Sequence, residues 1–243
     1  MPNAVPPGSR VRSRRVAVRT ALPLAVACAV LTVLVVVRWA PLAELDAGWA
    51  QSAHRRALAA PELTRVSRVL SDWVWDPWTM RALAAVAVGW LLLHDAGRAA
   101  LWLVVTCGGG TLVAHAAKFA VNRPRPEWRR PVDTASYAAF PSGHAMTAAV
   151  VCGALLWLWH LRRGRGLWWW LALAGGVVST VGVGLTRVWL GVHWSSDVLA
   201  GWLCGALTVA VAVALAPDTA RRPEARRRPE ARRRPHARGR TAA

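Results

Sequence analysis

Apolar residues in this chain gather into long runs separated by short polar or arginine-rich stretches. A helix needs about 20 mainly apolar residues to cross the hydrocarbon core of a bilayer. Read that way, the pattern predicts six spans, roughly 16–37, 77–93, 99–117, 142–161, 167–185 and 194–216. The second is the shortest and contains Arg81, which has to lie near an interface. Between the first two spans the pattern changes. Over 45–75, Leu58, Leu63, Val66, Val69 and Leu70 recur on one helical face, which predicts an amphipathic helix lying along the outer membrane surface. The expected fold is therefore all-α, a six-transmembrane helical bundle with an outer interfacial amphipathic helix.

Charge adds orientation. The chain of 243 residues is 55% hydrophobic yet carries a formal charge of +19, and the two features are segregated along it. Arg10, Arg12, Arg14, Arg15 and Arg19 precede span 1; Arg162, Arg163 and Arg165 lie between spans 4 and 5; an arginine-rich segment follows span 6. An even number of spans puts all three on one side, and the positive-inside rule makes that side the cytoplasm. The first outer loop runs mildly against this with Arg55, Arg56, Arg65 and Arg68, offset by Glu44, Asp46, Glu62, Asp72 and Asp76. A nucleic-acid binder would interleave its charges with a modest core, so that class is set aside. The predicted organisation is a basic cytoplasmic N-terminus over 1–15, a membrane domain over 16–216 and a disordered arginine-rich cytoplasmic tail over 217–243. That tail repeats PEARRR, PEARRR, PHARGR from Pro223. The apolar run of span 1 is long for a cleaved leader. Cys28, Cys107, Cys152 and Cys204 each sit inside an apolar run and read as small buried hydrophobes. Trp39, Trp78, Trp168, Trp169, Trp189 and Trp194 lie near span ends and read as interfacial anchors.

The chemistry lies in three polar clusters. The first closes span 3 and continues into the loop: Lys118, then Asn122-Arg123-Pro124-Arg125-Pro126. The second, Pro141-Ser142-Gly143-His144, opens span 4, and the third joins spans 5 and 6 with Thr186-Arg187, His193 and Asp197. Counting spans places all three on the outer side, where a bundle would bring them together. Lys118 is the only lysine in a chain with 31 basic residues, which suggests a place that needs a compact ammonium. Arg125 and Arg187 offer forked guanidinium groups suited to phosphate oxygens, and Arg123 is a secondary candidate. Ser142 and Gly143 open a helix whose N–H groups favour an anion. His193 and Asp197 are one helical turn apart, so the carboxylate can fix the ring tautomer while the other nitrogen attacks. His144 can then protonate the leaving oxygen. His115, one turn before Lys118, is a candidate for a supporting role, whereas His94, His160 and His236 read as polar residues at helix ends. A Ser-His-Asp hydrolase built on Ser142 lacks the G-x-S-x-G elbow. A zinc site from His144, His193 and Asp197 would sit among repelling cations, so no metal is expected.

Together these residues resemble the type 2 phosphatidic acid phosphatase family, the membrane lipid phosphatase branch of a superfamily shared with haloperoxidases. Its signature has three parts: K-x6-R-P, P-S-G-H and S-R-x5-H-x3-D. Lys118 to Pro126 fits the first, Pro141 to His144 the second, and Arg187, His193 and Asp197 the third. The family serine is replaced here by Thr186, which keeps a hydroxyl but adds a methyl group. The resemblance implies a phosphohistidine on His193, oriented by Asp197, with His144 as acid and later base. It also implies phosphate binding by Lys118, Arg125, Ser142, Gly143 and Arg187, with no cofactor. The expected function is hydrolysis of a lipid phosphate or diphosphate, phosphatidic acid-like or polyprenyl, at the extracytoplasmic face of the cell membrane. A phosphotransferase passing the group to another alcohol, a haloperoxidase and a non-catalytic membrane protein are the alternatives.

Overall fold

The computed structural model describes residues 8–216, with side chains from Arg12 onward. Eight α-helices follow one another: α1 (Gly8–Val36), α2 (Ala40–Ala59), α3 (Pro61–Val69), α4 (Pro77–Leu93), α5 (Gly97–Val121), α6 (Gly143–Arg163), α7 (Leu167–Trp189) and α8 (Ser195–Ala214). A π-helical turn, Leu70–Val74, links α3 to α4. The expected tail over 217–243, His236 included, lies outside the described residues.

Five of these helices, α1, α5, α6, α7 and α8, are long and apolar enough to cross a membrane. The remaining predicted span is α4, with the expected limits but only 17 residues, about 25 Å at 1.5 Å per residue. Arg81 near its start lies 5.0 Å from the ring of Trp78, so the charge stays at the helix end. Helix α1 begins well before the predicted start of span 1, because nothing in the arginine-rich stretch breaks a helix.

Helix α6 is central and packs against α4, α5, α7 and α8, while α1 lies along α8. One core cluster gathers Leu91, Leu103, Ala154, Leu158 and Val213. Small residues let backbones approach closely, as membrane helices require. At Gly201 a Cβ would come within 2.7 Å of the Ser142 carbonyl oxygen, and at Gly205 within 2.6 Å of Ala149 Cβ. The α6–α8 contact thus lies directly behind the start of α6. Cys28 and Cys204 face each other with sulfurs 3.7 Å apart, and all four cysteines are free thiols.

The segment over 45–75 departs from the single amphipathic helix expected of it. Ala60 and Pro61 divide it into α2 and α3, since proline at a helix start ends the preceding one. Its faces are sorted into a buried side and an apolar outward side. Asp46, Ala50, His54, Ala57, Thr64, Ser67 and Ser71, mostly small or polar, are buried against the bundle. Leu45, Trp49, Leu58, Leu63, Val66 and Val69 point outward. An outward apolar face suits contact with lipid, while the protein-facing side is small or polar. Trp189 and Trp194 depart from the simple anchor reading too. Their indole N–H groups donate to Thr64 Oγ1 at 3.1 Å and the Pro124 carbonyl at 2.9 Å, so the first ties α7 to α3 and the second ties the α5–α6 loop to the start of α8.

Replacing Gly201 by Val should lower stability by on the order of 2 kcal/mol through overpacking and reduce activity in parallel. Thermal unfolding of the detergent-solubilised protein checks the first, phosphate release the second. An unchanged melting temperature would mean that α6 and α8 are not in close contact there.

Candidate active site

The three clusters meet at one end of the bundle, and local chain chemistry explains how each is presented. Helix α5 ends at Asn122, in the left-handed region (φ 42°), whose N–H returns to the Lys118 carbonyl at 3.0 Å. Pro124 and Pro126 then prevent the helix from resuming. Helix α6 opens after a cis Phe140–Pro141 bond, with Ser142 at its N-cap. After α7 the chain turns through Gly191, a residue in the left-handed region (φ 71°), and reaches His193 two residues later. The Ser142 N–H donates to the Asp197 carbonyl at 2.9 Å, which joins the starts of α6 and α8.

His193 is 1% exposed and lies between these helix starts. Its Nδ1 is 3.4 Å from Asp197 Oδ2, and its Nε2 is 3.2 Å from Arg125 Nη1. Burial, with Arg125, Arg187 and Lys118 nearby, holds its pKa well below the ordinary imidazole value. Burial and the surrounding cations both favour the neutral ring. Asp197 has two structural tasks at once. Its Oδ2 accepts the Trp194 N–H at 2.9 Å, which caps α8, and its Oδ1 accepts from Arg123 Nη1 at 2.7 Å. Asp197 thus serves the helix start by hydrogen bond, while the His193 Nδ1 that it faces is buried without a hydrogen-bond partner.

The predicted phosphate ligands are also brought together. Lys118 Nζ donates to the Ala138 carbonyl at 2.5 Å. Arg125 donates to the carbonyls of Val192, Ser136 and Tyr137 at 2.5, 3.1 and 2.9 Å, so its fork is fixed by backbone. Burial and the neighbouring Arg187 push the Arg125 pKa down to about 10, which leaves it charged at neutral pH. Arg187 is 4% exposed; its Nη1 donates to Ser71 Oγ at 2.8 Å, while its Nε is buried without a partner. Ser142 Oγ is likewise buried and unpaired, so no histidine engages it as a serine nucleophile would need. A Cβ at Gly143 would meet only Lys118 Cε, at 3.8 Å, so the helix start is open toward the lysine. Unpaired polar atoms at full burial are costly, and an incoming phosphate oxygen would satisfy them. His144 Nε2 lies 3.9 Å from Asp76 Oδ1.

Arg123 departs from its expected place as a secondary phosphate ligand. Its guanidinium bonds Asp197 Oδ1, Ser196 Oγ and Asp46 Oδ2 at 2.7, 2.7 and 2.8 Å, with Trp194 5.5 Å away. It stands behind Asp197, away from the phosphate cations. The Thr186 hydroxyl donates to the Val183 carbonyl of its own helix at 2.8 Å and is not free to donate elsewhere. His115 is exposed on α5, with no role shown in the cluster.

Sequence reasoning missed several participants. Asp46, 1% exposed on α2, accepts from Ser195 Oγ, the Ser196 N–H, Ser196 Oγ and Arg123. Burial opposes its ionisation, but the hydrogen bonds from Ser195, Ser196 and Arg123 outweigh it and leave its pKa below the usual value. Ser71 and Asp72 of the π-helical turn and Asp133 of the α5–α6 loop surround Arg187. Only Asp76-Pro77, a helix-start signal, was visible along the chain. Among the described residues, no group of three His, Cys, Asp or Glu side chains is placed to hold a metal ion.

Comparison with known proteins agrees with this architecture. Over 137 residues the chain is 37% identical to decaprenylphosphoryl-5-phosphoribose phosphatase of Mycobacterium tuberculosis, covering 51% of this chain and 70% of that protein. Over 73 residues it is 38% identical to undecaprenyl-diphosphatase of Sulfolobus acidocaldarius, covering 28% and 29% of the two chains. The crystal structure of a transmembrane PAP2 type phosphatidylglycerolphosphate phosphatase from Bacillus subtilis has the same fold, with a TM-score of 0.69 at 22% identity over 79% of this chain and 93% of that one. The PAP2 superfamily pattern matches residues 99–221, and with the fold and the three converging clusters this establishes that the chain is a member of the PAP2 superfamily.

Proposed function

We propose that this multi-pass membrane protein hydrolyses a lipid phosphate through a phosphohistidine on His193. The observation that carries the reading is the setting of that ring. One nitrogen faces Asp197 at 3.4 Å, and the other faces Arg125 at 3.2 Å within a group of cations. A phosphate dianion bound by Lys118, Arg125, Arg187, Ser142 and the Gly143 helix start takes up the unpaired donors. The Nε2 lone pair attacks phosphorus, the bond from phosphorus to the leaving oxygen breaks, and His144, protonated once the bound phosphate dianion and Asp76 offset the cations around it, gives that oxygen its proton. Water, deprotonated by His144, then displaces the histidine and releases inorganic phosphate. Lipid as substrate rests on the apolar helices and on the relatives, two of which are named for polyprenyl-linked phosphates.

The site faces the extracytoplasmic side. Supporting this, Arg162, Arg163 and Arg165 lie at the opposite end of α6 from Gly143 and His144. Arg123 and Asp46 act through Asp197, as positioning residues. Their ion pair is almost fully buried, so removal of one partner leaves an uncompensated charge behind the carboxylate that orients the nucleophile.

His193→Ala should abolish phosphate release while insertion and folding persist; near-normal turnover would remove it as the nucleophile. Activity should survive strong chelators, and a loss restored by added metal would overturn the metal-independent reading. Since burial and the surrounding cations lower the His193 pKa, the free enzyme keeps a neutral ring as pH falls. The His193 ring, read by NMR of the histidine-labelled protein, should therefore show no titration between about pH 7.5 and about pH 6. A titration centred near the ordinary imidazole value would show that the nucleophile is not held neutral by its surroundings. Arg123→Met should cost about 3–5 kcal/mol of stability and lower kcat more than it raises KM. Arg123→Lys should recover part of both, and a variant that lost stability alone would make Arg123 purely structural.

A further inference from the structure

The pocket is asymmetric in charge. Lys118, Arg125 and Arg187 supply three cations around the place where a phosphate would bind. Three carboxylates lie beside them, from segments with no part in the three motifs. Asp72 Oδ1 and Asp133 Oδ2 are 3.6 and 3.8 Å from Arg187 Nη1, and Asp76 Oδ1 is 3.9 Å from His144 Nε2. Each is partly open to solvent, with side-chain exposures of 40%, 16% and 25%. The π-helical turn presents Asp72 together with Ser71; such turns are frequent at functional sites.

The direction of the reaction shows which side these groups occupy. Attack is in line, so the leaving oxygen departs opposite His193 Nε2, and His144 has to reach it to donate a proton. Asp76 adjoins His144, and Asp72 lies within reach of the charges of Asp133, Arg187, Arg68 and Asp76. Asp76 therefore borders the leaving oxygen through His144, and Asp72 and Asp133 line the Nη1 end of Arg187, while the buried and unpartnered Arg187 Nε and Ser142 Oγ are left for the phosphate being transferred.

The leaving group of a diphosphate is itself a phosphate, and among three carboxylates it would be strongly disfavoured. Arg123, to which a second phosphate would turn, is committed to Asp46 and Asp197. The leaving group of a sugar or glycerol phosphate carries hydroxyls, which donate well to carboxylates. We propose that Asp72, Asp76 and Asp133 form the leaving-group side of the pocket and select the phosphate monoester of a hydroxyl-rich alcohol over a diphosphate. This rests on the reading of His193 as nucleophile and His144 as acid.

The test compares three probes on the purified full chain in detergent, reading inorganic phosphate: dodecyl glucoside 6-phosphate, dodecyl phosphate and farnesyl diphosphate. The sugar ester should be cleaved fastest and the diphosphate slowest, with kcat/KM at least about tenfold apart at these extremes. Asp72→Asn and Asp133→Asn, each removing one charge without changing shape, should narrow the gap several-fold, mainly by raising diphosphate turnover. Diphosphate cleaved as fast as the sugar ester by the unaltered chain would overturn the selectivity. The nucleophile reading would survive that result if His193→Ala is inactive on all three. It would point instead to Arg129 and Arg130, exposed on the α5–α6 loop, as partners of the second phosphate. No phosphate from any probe would overturn the hydrolase reading and the selectivity together.

Discussion

The arrangement depends on one buried carboxylate, Asp197. It is fully enclosed at the start of α8, where ionisation is expensive unless every oxygen is satisfied. One oxygen takes the Trp194 N–H and faces His193; the other takes a guanidinium nitrogen of Arg123. Arg123 in turn is balanced by Asp46 on α2. Two anions, one cation and the hydroxyls of Ser195 and Ser196 make a closed network, which leaves the carboxylate little freedom to move. The ring that it faces inherits that rigidity.

The cations are fixed by another means. Carbonyl groups of Ala138, Val192, Ser136 and Tyr137 hold Lys118 and Arg125 before any ligand arrives. Donors held in this way need little rearrangement when charge develops on a phosphate, which is the main physical source of transition-state stabilisation. The exchange of serine for Thr186 fits the same picture, since that hydroxyl turns back onto its own helix.

Much of this was legible along the chain because it depends on spacing. Span limits follow from apolar length, and 77–93 coincides with α4. Lys118, His144, Arg187, His193 and Asp197 sit at helix ends on one side, so a bundle of α5–α8 has to bring them together. What the sequence hid was tertiary. Asp46 is far from Asp197 along the chain, and nothing in its neighbourhood marks it as a partner. The charge of Arg123 was plain, but its direction was set by that hidden partner. The stripe of Leu58, Leu63 and Val66 was visible as a pattern, yet periodicity does not say whether an apolar face meets protein or lipid. Here the polar face is the buried one.

That inversion has a mechanical consequence. Helix α2 presents Leu45 and Trp49 outward, and on its other side it inserts Asp46 into the network behind Asp197. The helix with the apolar outer face is the same one that holds the network behind Asp197. Any tilt of α2 would pass inward through two side chains, Asp46 and Arg123, to Asp197. The placement of this outer helix and the geometry of the site are therefore mechanically coupled.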